Sequence, residues 1–196
     1  QYALDKIILN LKQSDADSII LVGNAMESSQ IVNAISEANL EIPIISHWGI
    51  TGGKFYERLN SKAKNYPLLF IQSSLDISSN SDNEIIKNSS LLFPDDFKKN
   101  YIKSPSGFIH AYDLSSLLIA ASQVEFQKRG LDLREAVKHN LETLQTPVKG
   151  LIKTYHLPFQ AYSPQAPFSH EALDISDYRL AFYNEQGQIV HRDKRP

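Results

Sequence analysis

The stretch Ile42-Pro43-Ile44-Ile45-Ser46-His47-Trp48-Gly49-Ile50-Thr51-Gly52-Gly53-Lys54-Phe55 decides the fold. A short β-branched run ends in a loop holding the only tryptophan of the chain, and three glycines then lead into a new helix. An open α/β sheet presents a ligand loop in this way: a strand end, a bulky side chain, then glycines where backbone turns tightly or approaches another group. The same residues also describe a buried Trp plugging the sheet end, with glycines that serve only the turn. The flanking sequence weighs between the two.

Upstream, Leu4, Ile7, Ile8 and Leu11 recur at helical spacing, with Asp5, Lys6, Asn10 and Lys12 on the other face. Ser14-Asp15-Ala16-Asp17 competes for backbone hydrogen bonds and stops that helix. Ser18–Val22 is then a continuous apolar run of strand length, which predicts a strand buried on both faces. A helix follows over Glu27–Asn39, capped by Ser28 or Ser29 and ended by Asn39 in a left-handed conformation. Ile42–Ile45 is a second strand, Gly53–Ser61 a short helix, and Pro67–Ile71 a third strand. This alternation with short connections predicts an α/β fold with parallel strands and right-handed crossovers. Ligands in such sheets sit beyond the carboxyl ends of the strands. Here that rim comprises Gly23–Met26, His47–Gly53 and Gln72–Asp76.

Downstream, a Ser- and Asn-rich segment from Ser73 to Ser90 reads as a surface loop with a short helix at Glu84–Lys87. Phe93–Tyr101 reads as a helix opened by Pro94-Asp95-Asp96, and Ser104-Pro105-Ser106-Gly107 as a break. Phe108–Gln127 is the longest helical stretch, closed by Arg129-Gly130 and paired with a second helix over Leu133–Leu144. Val148–Tyr155 reads as one strand around Gly150, and Pro158–His170 as loop. Tyr178–Tyr183 and Gln188–His191 form a hairpin turning at Asn184–Gly187.

Composition narrows the function. Apolar content of 42% and charged content of 21% are those of a globular protein, in 196 residues that make one domain or two small lobes. A net charge of −2 argues against a nucleic-acid surface. No apolar run reaches the roughly 18 residues of a membrane span. The absence of cysteine excludes a disulfide framework and fixes no compartment. The chain opens directly into helical periodicity without Met or signal peptide, which suggests a piece of a longer chain.

The candidate chemistry is binding rather than catalysis. The glycines and lysine of Gly49–Lys54 lack the spacing of either phosphate-binding loop. Met26-Glu27-Ser28-Ser29 lacks the glycines of a nucleophile elbow. The six histidines show no metal-ligand spacing, so neither metal nor cofactor is expected. His170, Asp174 and Asp177 fit loop hydrogen bonds better than an ion, and His110 with Asp113 fits a local bond on one helix. The rim instead collects uncharged groups: Asn24, His47, Thr51 and Gln72 as hydrogen-bonding partners, Trp48 as an aromatic platform. That set suits a small organic ligand held by stacking and a few hydrogen bonds. An enzyme on a doubly wound fold using His47 as acid or base is the alternative, and an interaction module pairing through a lobe edge is a third.

Asp15–Asn24, the helix with Gln30-Ile31-Val32 and Ala38-Asn39-Leu40, and Ser46-His47-Trp48-Gly49 resemble the type I periplasmic binding proteins. That family comprises the branched-chain amino-acid-binding receptors of ABC importers and related sensor domains. Gly107-Phe108 with Ala111-Tyr112-Asp113, Gly150-Leu151-Ile152-Lys153 and the closing hairpin agree in order. The resemblance implies an α/β parallel-sheet lobe with helices on both faces, plus the returning part of another lobe. Residues 1–103 and 178–196 would form the second lobe and 104–177 the returning segment of the first, whose N-terminal part is absent. It places family ligand contacts at Asn24 and Trp48; with the rim, the expected ligand-binding residues are Asn24, Ala25, His47, Trp48, Thr51 and Gln72, with no catalytic residue, and the resemblance implies a periplasmic location with a membrane permease or sensor kinase as partner. Where relatives carry a Glu-Gly pair that receives the ligand ammonium, this chain has Trp48-Gly49. Tryptophan offers no carboxylate to a buried ammonium.

Overall fold

The computed structural model describes residues 2–73, 83–98, 101–123 and 132–192. In chain order the elements are α1 (Tyr2–Gln13), β1 (Ile19–Leu21), α2 (Ala25–Glu37), β2 (Ile44–Ser46), α3 (Phe55–Arg58), β3 (Leu68–Gln72), α4 (Glu84–Leu92), β4 (Phe97–Lys98) and β5 (Tyr101–Ile102). They continue with α5 (Pro105–Ser122), α6 (Leu133–Glu142), β6 (Val148–Lys149), β7 (Thr154–Tyr155), β8 (Arg179–Tyr183) and β9 (Ile189–His191). The chain divides into two compact units, residues 1–106 with 179–196, and residues 107–178.

The first unit is built on a five-stranded sheet of order β1-β2-β3-β8-β9. Strands β1, β2 and β3 run parallel, in register through Ile19, Ile44 and Leu68, and the closing hairpin adds β8 antiparallel to β3. One sheet face, through Leu21, Ile44, Phe70 and Ala181, is buried with Val32 and Ile35 of α2 and with Phe55. Ile8 and Leu11 of α1 pack on the same core. The helical periodicity of α1 and α2 thus does what amphipathic spacing predicts.

The opposite face departs from the sequence reading. Ile20 is 80% exposed and Val22 74%, and Ile45, Ile71 and Leu180 are exposed beside them. The strands are apolar on both sides yet covered on one. The reason lies in the connections: successive right-handed crossovers stepping the same way, β1 to β2 to β3, place their helices on a single face. An apolar run reports what a strand tolerates on each face, not what covers it.

Other boundaries shift for local reasons. α2 starts before Ser28 and Ser29, with Asn24 at the N-cap, so neither serine caps it; Ser29 Oγ instead donates to the Met26 carbonyl. Asn39 takes the expected left-handed conformation, φ 55°. α4 runs to Leu92, well past Lys87. The helix read over Phe93–Tyr101 is instead a turn followed by the β4–β5 hairpin. The break read at Ser104–Gly107 is the start of α5, because Pro105 occupies the first helical turn, where its missing N–H costs nothing. Residues 74–82 of the Ser- and Asn-rich loop, and the helix closure at Arg129-Gly130, lie outside the described residues.

In the second unit Leu117, Leu144, Val148 and Tyr155 form the core, and Asn140 of α6 donates from Nδ2 to the Ala121 carbonyl of α5. The buried stripe of α5 is Ile109, Asp113, Leu117 and Ala121, while Leu114 and Leu118 are exposed. The segment Val148–Tyr155 is not one strand; it folds back as the β6–β7 hairpin, Val148 opposite Tyr155.

Candidate functional site

The candidate site lies at the carboxyl ends of β1 and β2. Strand β1 exits through Gly23 into Asn24, the N-cap of α2, and β2 exits through His47 into a single 3-10 turn, Trp48–Ile50. The two exits touch. A Cβ on Gly49 would lie 2.5 Å from the Gly23 carbonyl oxygen and 2.4 Å from Cε1 of His47. Only a glycine admits so close an approach of one loop backbone to the other.

Within the turn each polar group has a defined task. The Gly49 amide donates to His47 Nδ1 at 2.8 Å. A neutral imidazole whose Nδ1 accepts carries its proton on Nε2, so the half-buried ring holds a donor available for other partners. The Trp48 indole meets the His47 ring edge-on, centroids 5.3 Å apart at 70°, and is 45% exposed. It is not a core plug. Asn24 is exposed as well, and its side chain makes no capping bond to α2. Ala25, the first residue of α2, is buried.

Thr51 and Gln72 turn their polar groups toward the protein. Both are buried. Thr51 Oγ1 donates to the Trp48 carbonyl at 2.7 Å and lies 3.2 Å from Ser106 Oγ. Gln72 Nε2 lies 2.9 Å from Nε2 of His191 on β9, while its Oε1 has no hydrogen-bond partner among the described residues. The structure thus sets the His47 and Trp48 rings against each other, with exposed Asn24 one residue beyond the Gly23 that touches this turn and Thr51 bonded to the Trp48 carbonyl. Gln72 stands at the end of the next strand; the loop that follows lies outside the described residues from Ser74 onward.

A second polar constellation sits in the other unit. Asp113, buried on α5, accepts from the amides of Leu151 (2.5 Å) and Ile152 (3.0 Å) and from the Tyr155 hydroxyl (2.8 Å). A Cβ on Gly150 would fall 2.6 Å from this carboxylate, so the glycine is what lets the β6–β7 turn close over it. Burial pushes the Tyr155 phenol well above its ordinary range, and the adjacent Asp113 carboxylate adds to the shift. This is a structural node with its acceptors spent. His170 pairs with Glu142 and Lys153 with Asp177, while Asp174 caps the short turn that contains Asp177. Among the described residues no group of three or more His, Cys, Asp or Glu side chains could hold a metal ion.

Sequence reasoning missed Ser106 and the partners of Asp113. Thr51 and Ser106 are 55 positions apart, and no pattern in the chain joins them. The Gly23 and Gly49 pair was the one available signal of close approach.

No protein-family model and no curated protein matches the chain. Solved structures do. A type 1 periplasmic binding protein from Bordetella pertussis superposes with TM-score 0.70 at 12% identity, over 94% of this chain and 48% of that one. A leucine-binding protein from Thermotoga maritima gives TM-score 0.69 at 13% identity, over 96% and 47%. An ABC-transporter solute-binding protein from R. palustris, in complex with benzoate, gives 0.64 at 16%, over 97% and 45%. The chain therefore spans about half the length of the structures it matches. At 12–16% identity these superpositions show the fold: this chain has the fold of the type I periplasmic binding proteins.

Proposed function

We propose that this chain is part of an extracytoplasmic solute-binding receptor that closes two lobes around a small organic ligand. Residues 1–103 and 178–196 belong to its second lobe, and 104–177 are the returning segment of the first. The ligand's contact with this lobe is through Asn24, His47 and Trp48. The observation that carries the reading is the exposed Trp48 indole with the His47 ring edge-on to it, and exposed Asn24 at the adjoining strand exit, at the strand ends where open α/β sheets take ligands. A solute that bridges two lobes shifts their equilibrium toward the closed form. The receptor then hands the solute to a membrane permease or reports it to a sensor kinase; its place is the periplasm, and it has no nucleic-acid partner.

The surface selects by chemistry. Among the described residues it offers indole, imidazole and amide, and no carboxylate for an ammonium group, so a neutral or acceptor-bearing part of the ligand belongs here. The solved structures with this fold include one that binds leucine and one in complex with benzoate, so the fold accommodates both chemistries. Acid–base catalysis by His47 would need a second polar partner within reach, and among the described residues the ring's hydrogen bond is from the Gly49 amide. A binding role needs nothing further.

Native mass spectrometry of the full-length protein, isolated gently, tests the reading. The wild type is expected to retain a small organic molecule, and Trp48→Ala to lose it while keeping its circular dichroism spectrum. Equal retention by the variant would remove Trp48 from the site.

A further inference from the structure

The turn that presents Trp48 is bonded to a distant part of the chain. Trp48's carbonyl accepts from the Thr51 amide at 3.0 Å and from Thr51 Oγ1 at 2.7 Å. A threonine hydroxyl has one proton, and the carbonyl takes it. The contact at 3.2 Å between Thr51 Oγ1 and Ser106 Oγ is therefore donated by Ser106. Both side chains are buried, at 7% exposure each, so water does not compete for these bonds. The next residue is held to the same segment. A Cβ on Gly52 would stand 3.2 Å from the Lys103 carbonyl oxygen, so the turn lies directly on Lys103–Ser106.

Ser106 is the last residue of the first unit before the chain passes into the second. We propose that Ser106 is a positioning residue for Trp48, acting through the hydroxyl relay Ser106 to Thr51 to the Trp48 carbonyl. A torsional change in the Lys103–Ser106 segment reaches the aromatic platform through two hydrogen bonds. Thr51, on this account, serves the ligand by holding Trp48. The functional weight of the relay rests on Trp48 being the ligand platform; the relay itself does not.

Amide hydrogen exchange of this chain, followed residue by residue by NMR, tests it without a ligand. The Thr51 amide closes the turn onto Trp48, so its protection reads local opening. Ser106→Ala is expected to speed exchange at Thr51 by about fivefold, the effect of one lost hydrogen bond. The amides of Leu68 to Phe70 in β3 should stay at the wild-type rate, whereas a general loss of stability would speed them too. Ser106→Thr keeps the hydroxyl and should restore protection. Thr51→Val removes the relay from its other end at nearly constant shape and should match Ser106→Ala. Unchanged exchange at Thr51 in both hydroxyl-deleted variants, acceleration spread evenly over β3, or no rescue by threonine would each overturn the proposal. Failure of the Trp48 binding test would leave these rates as they are, so the two ideas fail separately.

Discussion

Asp113 in one unit and the Trp48 turn in the other are both polar clusters under a glycine, and they spend their polar groups in opposite ways. Asp113 is 3% exposed and takes two amides and a hydroxyl, which satisfies the carboxylate from inside. The Trp48 turn uses its hydrogen bonds for its backbone, for His47 Nδ1 and for the Thr51 hydroxyl, and leaves the indole and Asn24 exposed. The first arrangement stabilises a fold. The second holds a shape with exposed polar and aromatic groups unspent. A polar cluster is a candidate site when the groups that remain after internal bonding face outward.

Substitution at Asp113 should break this contrast most visibly. Asp113→Ala strands three donors in a buried place, and the expected loss of stability is about 3–5 kcal/mol. Urea denaturation followed by circular dichroism measures it; a loss below about 1 kcal/mol would mean that water replaces the carboxylate there. Gly49→Ala comes next. Its Cβ would meet the Gly23 carbonyl at 2.5 Å, a backbone group that cannot swing aside, so about 1–3 kcal/mol is expected. The emission spectrum of Trp48, the only tryptophan, should shift with it. An alanine variant with wild-type emission and stability would show that the two exits are not held in register by this contact.

The smallest effect is expected at Tyr155, and it carries a pH signature. The folded state holds the phenol's proton above the ordinary value of 10.0, chiefly through burial, then through Asp113. Below that pH both states are protonated and the pairing contributes fully. Above it the unfolded chain loses the proton while the folded chain keeps it, so stability falls as pH rises. Tyr155→Phe should cost about 1 kcal/mol near neutrality and flatten that alkaline decline. Denaturation midpoints of the two proteins from pH 8 to pH 11 give the comparison, at roughly one-unit steps across the phenol range. Parallel slopes would show that Tyr155 does not govern it.

Local rules account for what was legible. The apolar periods of α1, α2 and the three parallel strands, the left-handed Asn39 and the closing β8–β9 hairpin all follow from residues within one element or one turn. So did the position of Trp48 at the rim, since a strand end followed by glycines sets where the loop emerges. The errors fall where two readings share a pattern. Pro94-Asp95-Asp96 opens a turn as readily as a helix, and Ser104-Pro105-Ser106 starts a helix as readily as it breaks one.

By itself, then, the sequence determined the α/β order, the direction of the strands and the loop that holds Trp48, because these depend on neighbours a few residues apart. Only the tertiary structure decided that one sheet face is covered and the other open, since this depends on the handedness of successive crossovers. It alone placed Asp113 under the Gly150 turn and Ser106 behind Thr51, because hydrogen bonds between positions 38 and 55 apart leave no period in the chain. The place of Trp48 at the end of β2 was visible from sequence. What holds it in place was not, because a buried serine looks the same as an exposed one until the chain is folded.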